Sequence, residues 1–261
     1  MPPYDAARPL IFMHIPKTAG IAVCDALVQA VRPPRVFFGF DQAFFGGFTD
    51  FETIAPATRA FIHSTPHSLP PNEPLVRAHM SLSTLRAAYP TGQFMTVLRD
   101  PTARILSHFL FWRGFAEADM RDWGAWADIM CLAQGSLAVF ITDPRTACQI
   151  DNVATRLLLW PHPMIPNDGF IPPEADATLL AQALAALATL DHVGMQENPD
   201  FWPTLATWLG RSFQPARHNV TPKLPPDRAV DLAAELSSAC QAHLTARTRL
   251  DRALAVARNE A

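Results

Sequence analysis

The chain has 261 residues, 49% of them hydrophobic and 17% charged, which is enough apolar material for one large α/β core and excludes a disordered chain despite 25 prolines. A formal charge of -3 with no long Lys/Arg run argues against a nucleic-acid-binding surface, so any anion site must be local. Met1–Pro9 lacks the pattern of a signal peptide, and the apolar run Leu10–Ile15 is too short to cross a bilayer; the expectation is a cytoplasmic protein with no membrane span. In chain order, Pro9–His14 is a short apolar strand that ends in a proline turn, and Gly20 opens an apolar helical pattern through Val31. Val36–Phe51 is rich in Phe and Gly and Ser64–Pro74 is rich in Pro, so this region reads as short strands and loops. Leu75–His79 can be a strand, Leu82–Tyr89 a short helix, and Gln93–Leu98 is the clearest buried strand. Asp100 suits an N-cap and Pro101 a first helical position, for a helix running to about Ala118. Beyond Asp122 the pattern is largely helical, with helices near 123–132, 148–159, 174–188, 199–209 and 227–258 and one strand at Asp191–Met195. Strands alternating with helices predict an α/β fold with a mainly parallel sheet, with ligands at the carboxyl ends of the strands.

Two loops carry chemistry. His14-Ile15-Pro16-Lys17-Thr18-Ala19-Gly20 sets a cation, a hydroxyl and free backbone amides ahead of a helix N-terminus, an arrangement that cradles phosphate or sulfate. Arg99-Asp100-Pro101-Thr102-Ala103-Arg104-Ile105-Leu106-Ser107 offers a guanidinium fork and a hydroxyl, both apt for a further phosphate. The loop at His14–Gly20 resembles the 5′-phosphosulfate loop of the sulfotransferases, most closely the branch with the heparan sulfate 2-O-sulfotransferases and bacterial relatives. The Arg99–Ser107 segment resembles the same family's 3′-phosphate motif. Weaker similarity continues through Asp151–Leu157, Val193–Glu197 and Asn219–Thr221, so residues 1–261 read as one sulfotransferase domain.

This resemblance implies a P-loop-like three-layer fold, with a mainly parallel central sheet flanked by helices and a largely helical C-terminal half. It also implies 3′-phosphoadenosine 5′-phosphosulfate (PAPS) as donor and a hydroxyl acceptor, with a carbohydrate or other small molecule expected. By the same resemblance Pro16, Lys17, Thr18, Ala19, Gly20 and Ile21 hold the 5′ end of the donor, and Arg99 and Ser107 hold the 3′-phosphate. The chain departs from the family at Ile21 and Ala22, where further Ser/Thr residues are usual, and so lacks hydroxyls beside the 5′-phosphate.

Sulfonate transfer needs a cation on the leaving oxygen and a base on the acceptor hydroxyl. Lys17 is the candidate cation. His79, at a strand end, is the preferred base, because an imidazole accepts a proton near neutrality; His14, His63, His67 and His108 are alternates, with Glu52 and Glu73 behind them. Asn152 and Arg156, four apart, would share a helix face and meet acceptor or nucleotide, or form a structural ion pair or cap. Pro66 separates His63 from His67, and Cys24, Cys131, Cys148 and Cys240 form no C-x-x-C pair, so no metal is predicted and four buried thiols are. The Phe-rich segment between Phe37 and Phe48 is either an apolar wall over an acceptor or core packing. Two other functions fit parts of the pattern. A kinase would use Lys17-Thr18 as a degraded phosphate loop and Asp100 as a magnesium ligand; an inactive relative would bind the nucleotide without transfer.

Overall fold

The computed structural model describes residues 3–215 and 224–259. The described residues form a five-stranded sheet, all parallel, in the order β2-β3-β1-β4-β5. Its strands are β1 (Leu10–Met13), β2 (Phe37–Phe40), β3 (Leu75–His79), β4 (Gln93–Leu98) and β5 (His192–Met195). β1 and β4 are buried at every position, which is why their sequences are mainly apolar runs rather than alternating ones.

The alternation of side chains across the pleat separates two layers of core. Leu10, Phe12, Leu75, Met95 and Val97 pack on one face against helix α1 (Gly20–Val31) and the later helix Phe201–Leu209. Ile11, Met13, Val76 and Phe94 pack on the other, beneath α2 (Leu82–Ala88) and residues of the C-terminal half. Each fully buried Leu, Ile, Val, Phe or Met contributes about 1.5–3 kcal/mol. A third cluster caps the carboxyl end of the sheet. There α3 (Pro101–Arg113) brings Ile105, Phe109 and Trp112 against Phe40, Phe45 and Trp126.

The remaining long helices are α4 (Val153–Leu159), α5 (Asp176–Ala188), α6 (Phe201–Leu209) and α7 (Ser238–Asn259). The helix expected over 123–132 is only Trp126–Met130, with a short turn on either side, and three others, including α3, differ from the sequence expectation for identifiable reasons. α3 stops at Arg113 instead of about Ala118, because Gly114 follows it and the chain turns there. The helix expected over 148–159 is two: Ala147–Ile150 and α4, broken at Asn152, whose φ of 47° lies in the left-handed region that Asn tolerates better than most residues. α7 begins at Ser238, not Asp227, after short turns at Pro226–Arg228 and Leu232–Glu235. Among the described residues no helix is long and apolar enough to cross a membrane. Cys24, Cys148 and Cys240 are buried free thiols as expected, whereas Cys131 is exposed.

Candidate functional site

The strand order places β1 between β3 and β4, so the connection from β3 to β4 crosses over β1 and opens a crevice at the carboxyl ends of these strands. Parallel register then decides which side chains meet there. Phe38 and Phe40 of β2 pair with Arg77 and His79 of β3, and Arg77 pairs in turn with Phe12 of β1. With a period of two, Phe38, Phe40, Arg77, His79 and Phe12 all project from one face, and His14 continues that row just past β1.

After His14 the chain enters the anion loop. Lys17 (φ 69°) and Ala19 (φ 60°) are both left-handed, which turns successive amides of the loop toward one side. The first-turn amides of α1, those of Gly20, Ile21 and Ala22, have no carbonyl four residues back within the helix and remain donors. Gly20 is required by packing: a Cβ there would lie 1.7 Å from His14 Nε2. The two anion loops are stitched together, since Arg99 Nη1 donates to the carbonyl of Lys17 (3.0 Å). Glu197, after β5, accepts from the Asp100 amide (3.1 Å) and lies 3.8 Å from Arg99 Nε.

A cavity of about 390 Å³ lies over this crevice, and Pro16, Lys17, Gly20, Ile21, His79 and Ser107 all line it. Six of the residues picked out from the sequence thus converge. His14, Arg77 and His108 line it too. Its far wall is aromatic: Phe38, Phe40, Phe44, Trp112, Trp123 and Trp126. Phe111 and Phe115 of α3 and the segment after it close a further side.

The electrostatics of the cavity are set by burial beside cations. Lys17 Nζ lies 3.8 Å over the ring of Phe111, and burial, then the Arg99 charge, push its ammonium down to about 8. His79 Nδ1 lies 2.7 Å from the carbonyl of His14 and must be the protonated nitrogen of a neutral ring, which leaves the lone pair on Nε2. Burial pushes His79 down to about 3; its bond to the His14 carbonyl opposes this, and the Arg77 and Lys17 charges add to it. His14 and His108 are pushed well below the usual imidazole range by burial, and neither ring nitrogen of either has a partner. Arg77 sits 4.6 Å over Phe38.

Other predicted residues lie elsewhere. Thr18 is 1% exposed and its hydroxyl donates to the Ile15 carbonyl (2.9 Å), so its side chain braces the loop from behind. With Arg99 it faces a void of about 10 Å³ beside Arg104 and Asp251, not the main cavity, and Ala19 lines neither space. Asn152 and Arg156 are 0% and 1% exposed. Arg156 donates to Asp151 Oδ2 (2.9 Å) and to the carbonyls of Asp151, Pro166 and Gly169, while Asn152 Oδ1 accepts from the Leu250 amide (2.8 Å). These contacts tie the α4 region to its neighbours and leave neither side chain open to a substrate: of the two roles expected for the pair, substrate contact or a structural ion pair or cap, the contacts are those of the second. The tail Arg217–Lys223, including Asn219–Thr221, lies outside the described residues.

Sequence reading missed Arg77 and the tryptophans Trp112, Trp123 and Trp126, and left Phe38, Phe40 and Phe44 between cavity wall and core. Arg77 could have been found from strand periodicity, since it sits two residues before His79 on one strand. A wider groove of about 790 Å³ runs along the outer edge of β5 past His192, Asp200, Trp208 and Arg258; no residue of His14–Gly20 or Arg99–Ser107 lines it, and of the weaker motif segments only Val193, Gly194 and Met195 do. Among the described residues no cluster of three His, Cys, Asp or Glu side chains could hold a metal ion.

No family model matches the chain, and no curated protein matches it. Among solved structures, the crystal structure of a sulfotransferase from Alicyclobacillus acidocaldarius aligns over 96% of this chain and 95% of that one, at 17% identity and a TM-score of 0.42. That superposition is too loose to bear on the chemistry, which rests on the cavity itself.

Proposed function

We propose that this protein is a sulfotransferase that moves a sulfonate group from PAPS to an acceptor hydroxyl. The observation that carries the reading is the convergence, in one cavity, of Lys17 on its left-handed loop, Ser107 on α3, and His79 with its tautomer fixed by the His14 carbonyl. The loop amides and Lys17 bind the 5′-phosphosulfate; Ser107, with Arg99 at the end of β4, takes the 3′-phosphate once Arg99 turns from the Lys17 carbonyl or shares it. In the transfer the acceptor oxygen bonds to sulfur as the bond from sulfur to the bridging phosphate oxygen breaks. The acceptor proton goes to His79 Nε2, and the leaving electron pair stays on adenosine 3′,5′-bisphosphate beside Lys17. Pro16, Ala19 and Gly20 shape the loop, and Ile21 stands at the cavity rim at 48% exposure.

The kinase reading is not favoured, because Asp100, its magnesium ligand, has Oδ1 engaged in capping α3 by accepting from the Ala103 amide (2.7 Å). Calorimetric titration of the metal-free protein with adenosine 3′,5′-bisphosphate tests the proposal, with ADP as control. Binding is expected in the micromolar range for wild type, weakened about tenfold or more in Arg99→Ala and in Lys17→Ala, as for lost charge-assisted bonds, and absent with ADP. Failure of the folded wild type to bind would overturn the sulfotransferase reading.

A further inference from the structure

Resting on that reading of the cavity, we propose that the acceptor is an aromatic alcohol, a phenol or fused-ring phenol, in place of the carbohydrate that the sequence resemblance implied. Four rings surround the imidazole of His79: that of His14 is nearest at 4.3 Å, Phe40 stacks on it with centroids 5.5 Å apart and planes at 21°, and Phe44 and Phe38 stand at 5.5 and 5.7 Å. Behind them Trp123 meets Phe40 edge-on at 5.8 Å, and Trp126 lies 6.2 Å from both Phe44 and Trp112. An acceptor oxygen placed at His79 Nε2 therefore has its carbon frame among aromatic faces and edges, the geometry that rings pack best.

The polar lining points the same way. Among the described residues, His14, Lys17, Arg77, His79, Ser107 and His108 are, beside the indole N–H donors of the tryptophans, the charged or hydrogen-bonding side chains of the cavity, and no carboxylate or carboxamide accompanies them. A sugar brings several hydroxyls, each needing an acceptor, and each one buried among these rings without a partner would weaken binding about tenfold. A phenol brings one, the one that reacts. The cavity of about 390 Å³ lies at the small end of ligand clefts and also receives the reacting end of the donor at Lys17, so the share left to the acceptor suits a compact ring better than a disaccharide. The chemistry of the base agrees: burial makes His79 a weak base, and it is better matched to a phenol ionising near 10 than to an aliphatic hydroxyl ionising far higher. In the transfer the phenol oxygen forms the new bond to sulfur, its proton passes to Nε2, and adenosine 3′,5′-bisphosphate departs with the electron pair of the broken bond.

The test compares 2-naphthol with a neutral disaccharide as acceptors for the full chain and PAPS, following the aryl or sugar sulfate by mass spectrometry. Binding of 2-naphthol to the complex with adenosine 3′,5′-bisphosphate is measured in parallel by calorimetry. The expected result is a kcat/KM for 2-naphthol at least about a hundredfold above that for the disaccharide. Trp123→Ala should raise the naphthol KM about tenfold or more with bisphosphate affinity unchanged. Phe38→Asn, on β2 of the same wall, is an independent variant should Trp123→Ala fail to fold. If the bisphosphate binds but 2-naphthol neither binds nor is sulfated, or if both variants leave its KM unmoved, the inference is overturned while the donor reading stands. If the bisphosphate does not bind, the donor reading fails and takes this inference with it.

Discussion

Replacing His79 by Gln keeps a side chain of similar reach among Phe38, Phe40 and Phe44 but removes the atom that can take a proton. A positioned general base contributes about 10²–10⁴-fold, so kcat should fall by that factor, about 3–5.5 kcal/mol of barrier at 1.36 kcal/mol per decade. Donor affinity should hold, because the loop amides and Lys17 belong to a different element from β3 and a neutral imidazole adds no charge to them. The pH profile adds an independent readout. An imidazole acts as a base only above its own pKa, and burial has moved that of His79 to about 3, so kcat/KM should stay level from pH 5 to 7.5 instead of halving near 6.5. Initial rates with saturating PAPS and 2-naphthol, taken where the far-ultraviolet circular dichroism is unchanged, measure both. A Gln variant that keeps more than a tenth of the wild-type kcat, or a wild-type acid limb centred near 6.5, would refute the assignment of His79 as a base in a desolvated site.

Lys17 titrates near 8 in the free protein, and only its protonated form attracts the nucleotide, so affinity for adenosine 3′,5′-bisphosphate should be level from pH 7 to 7.5. It should then fall by up to about tenfold per pH unit above 8. Calorimetry to pH 10 checks this, a flat curve would count against Lys17 as a donor contact, and Lys17→Met should flatten the wild-type slope. Ile21→Ser restores a hydroxyl at the cavity rim and should tighten bisphosphate binding up to about tenfold, the worth of one neutral hydrogen bond. Ala22→Ser should do nothing for affinity, because Ala22 is 4% exposed and does not line the cavity. Gly20→Ala would drive a Cβ into the His14 ring and should cost about 1–3 kcal/mol, seen calorimetrically as a Tm lower by about 3–10 °C.

The sheet was largely legible in the sequence because β1 and β4 are buried on both faces and therefore stand out as mainly apolar runs, Leu-Ile-Phe-Met and, with Gln93 and Thr96 as its polar members, Gln-Phe-Met-Thr-Val-Leu. β2 was not. Phe-Phe-Gly-Phe lies inside a longer aromatic and glycine-rich stretch, and nothing local distinguishes ring packing over a cavity from ring packing in a core. The anion loops could be read because their chemistry is contiguous, whereas the cavity is built from residues as far apart as Phe38 and Trp126 and depends on a parallel register that pairs Phe38 with Arg77. Asn152 and Arg156 were left between two roles for a different reason. Spacing by four shows that two side chains could share a face, but not that Asn152 would sit outside the helix, or that Asp151 would bury the guanidinium of Arg156 as its partner.

The cavity is a place where cations are kept without carboxylates. Among its described lining residues Lys17 and Arg77 carry the formal charge, His14, His79 and His108 are held neutral beside them, and none is acidic. Desolvating a cation without an anion is unfavourable, and the lowered pKa of Lys17 expresses that cost directly. Part of it is offset by the faces of Phe111 and Phe38, over which Lys17 and Arg77 rest. The aromatic residues therefore serve two ends in one arrangement. They give the cations a neutral resting place in the free protein and leave them short of a full counter-charge. On the sulfotransferase reading an anionic donor supplies that charge with little change in the loop backbone, because Lys17 and Ala19 already hold left-handed conformations. On the sulfotransferase reading, the same rings that store the cations also select what may stand opposite them, so donor binding and acceptor choice are coupled through one wall instead of residing in separate loops.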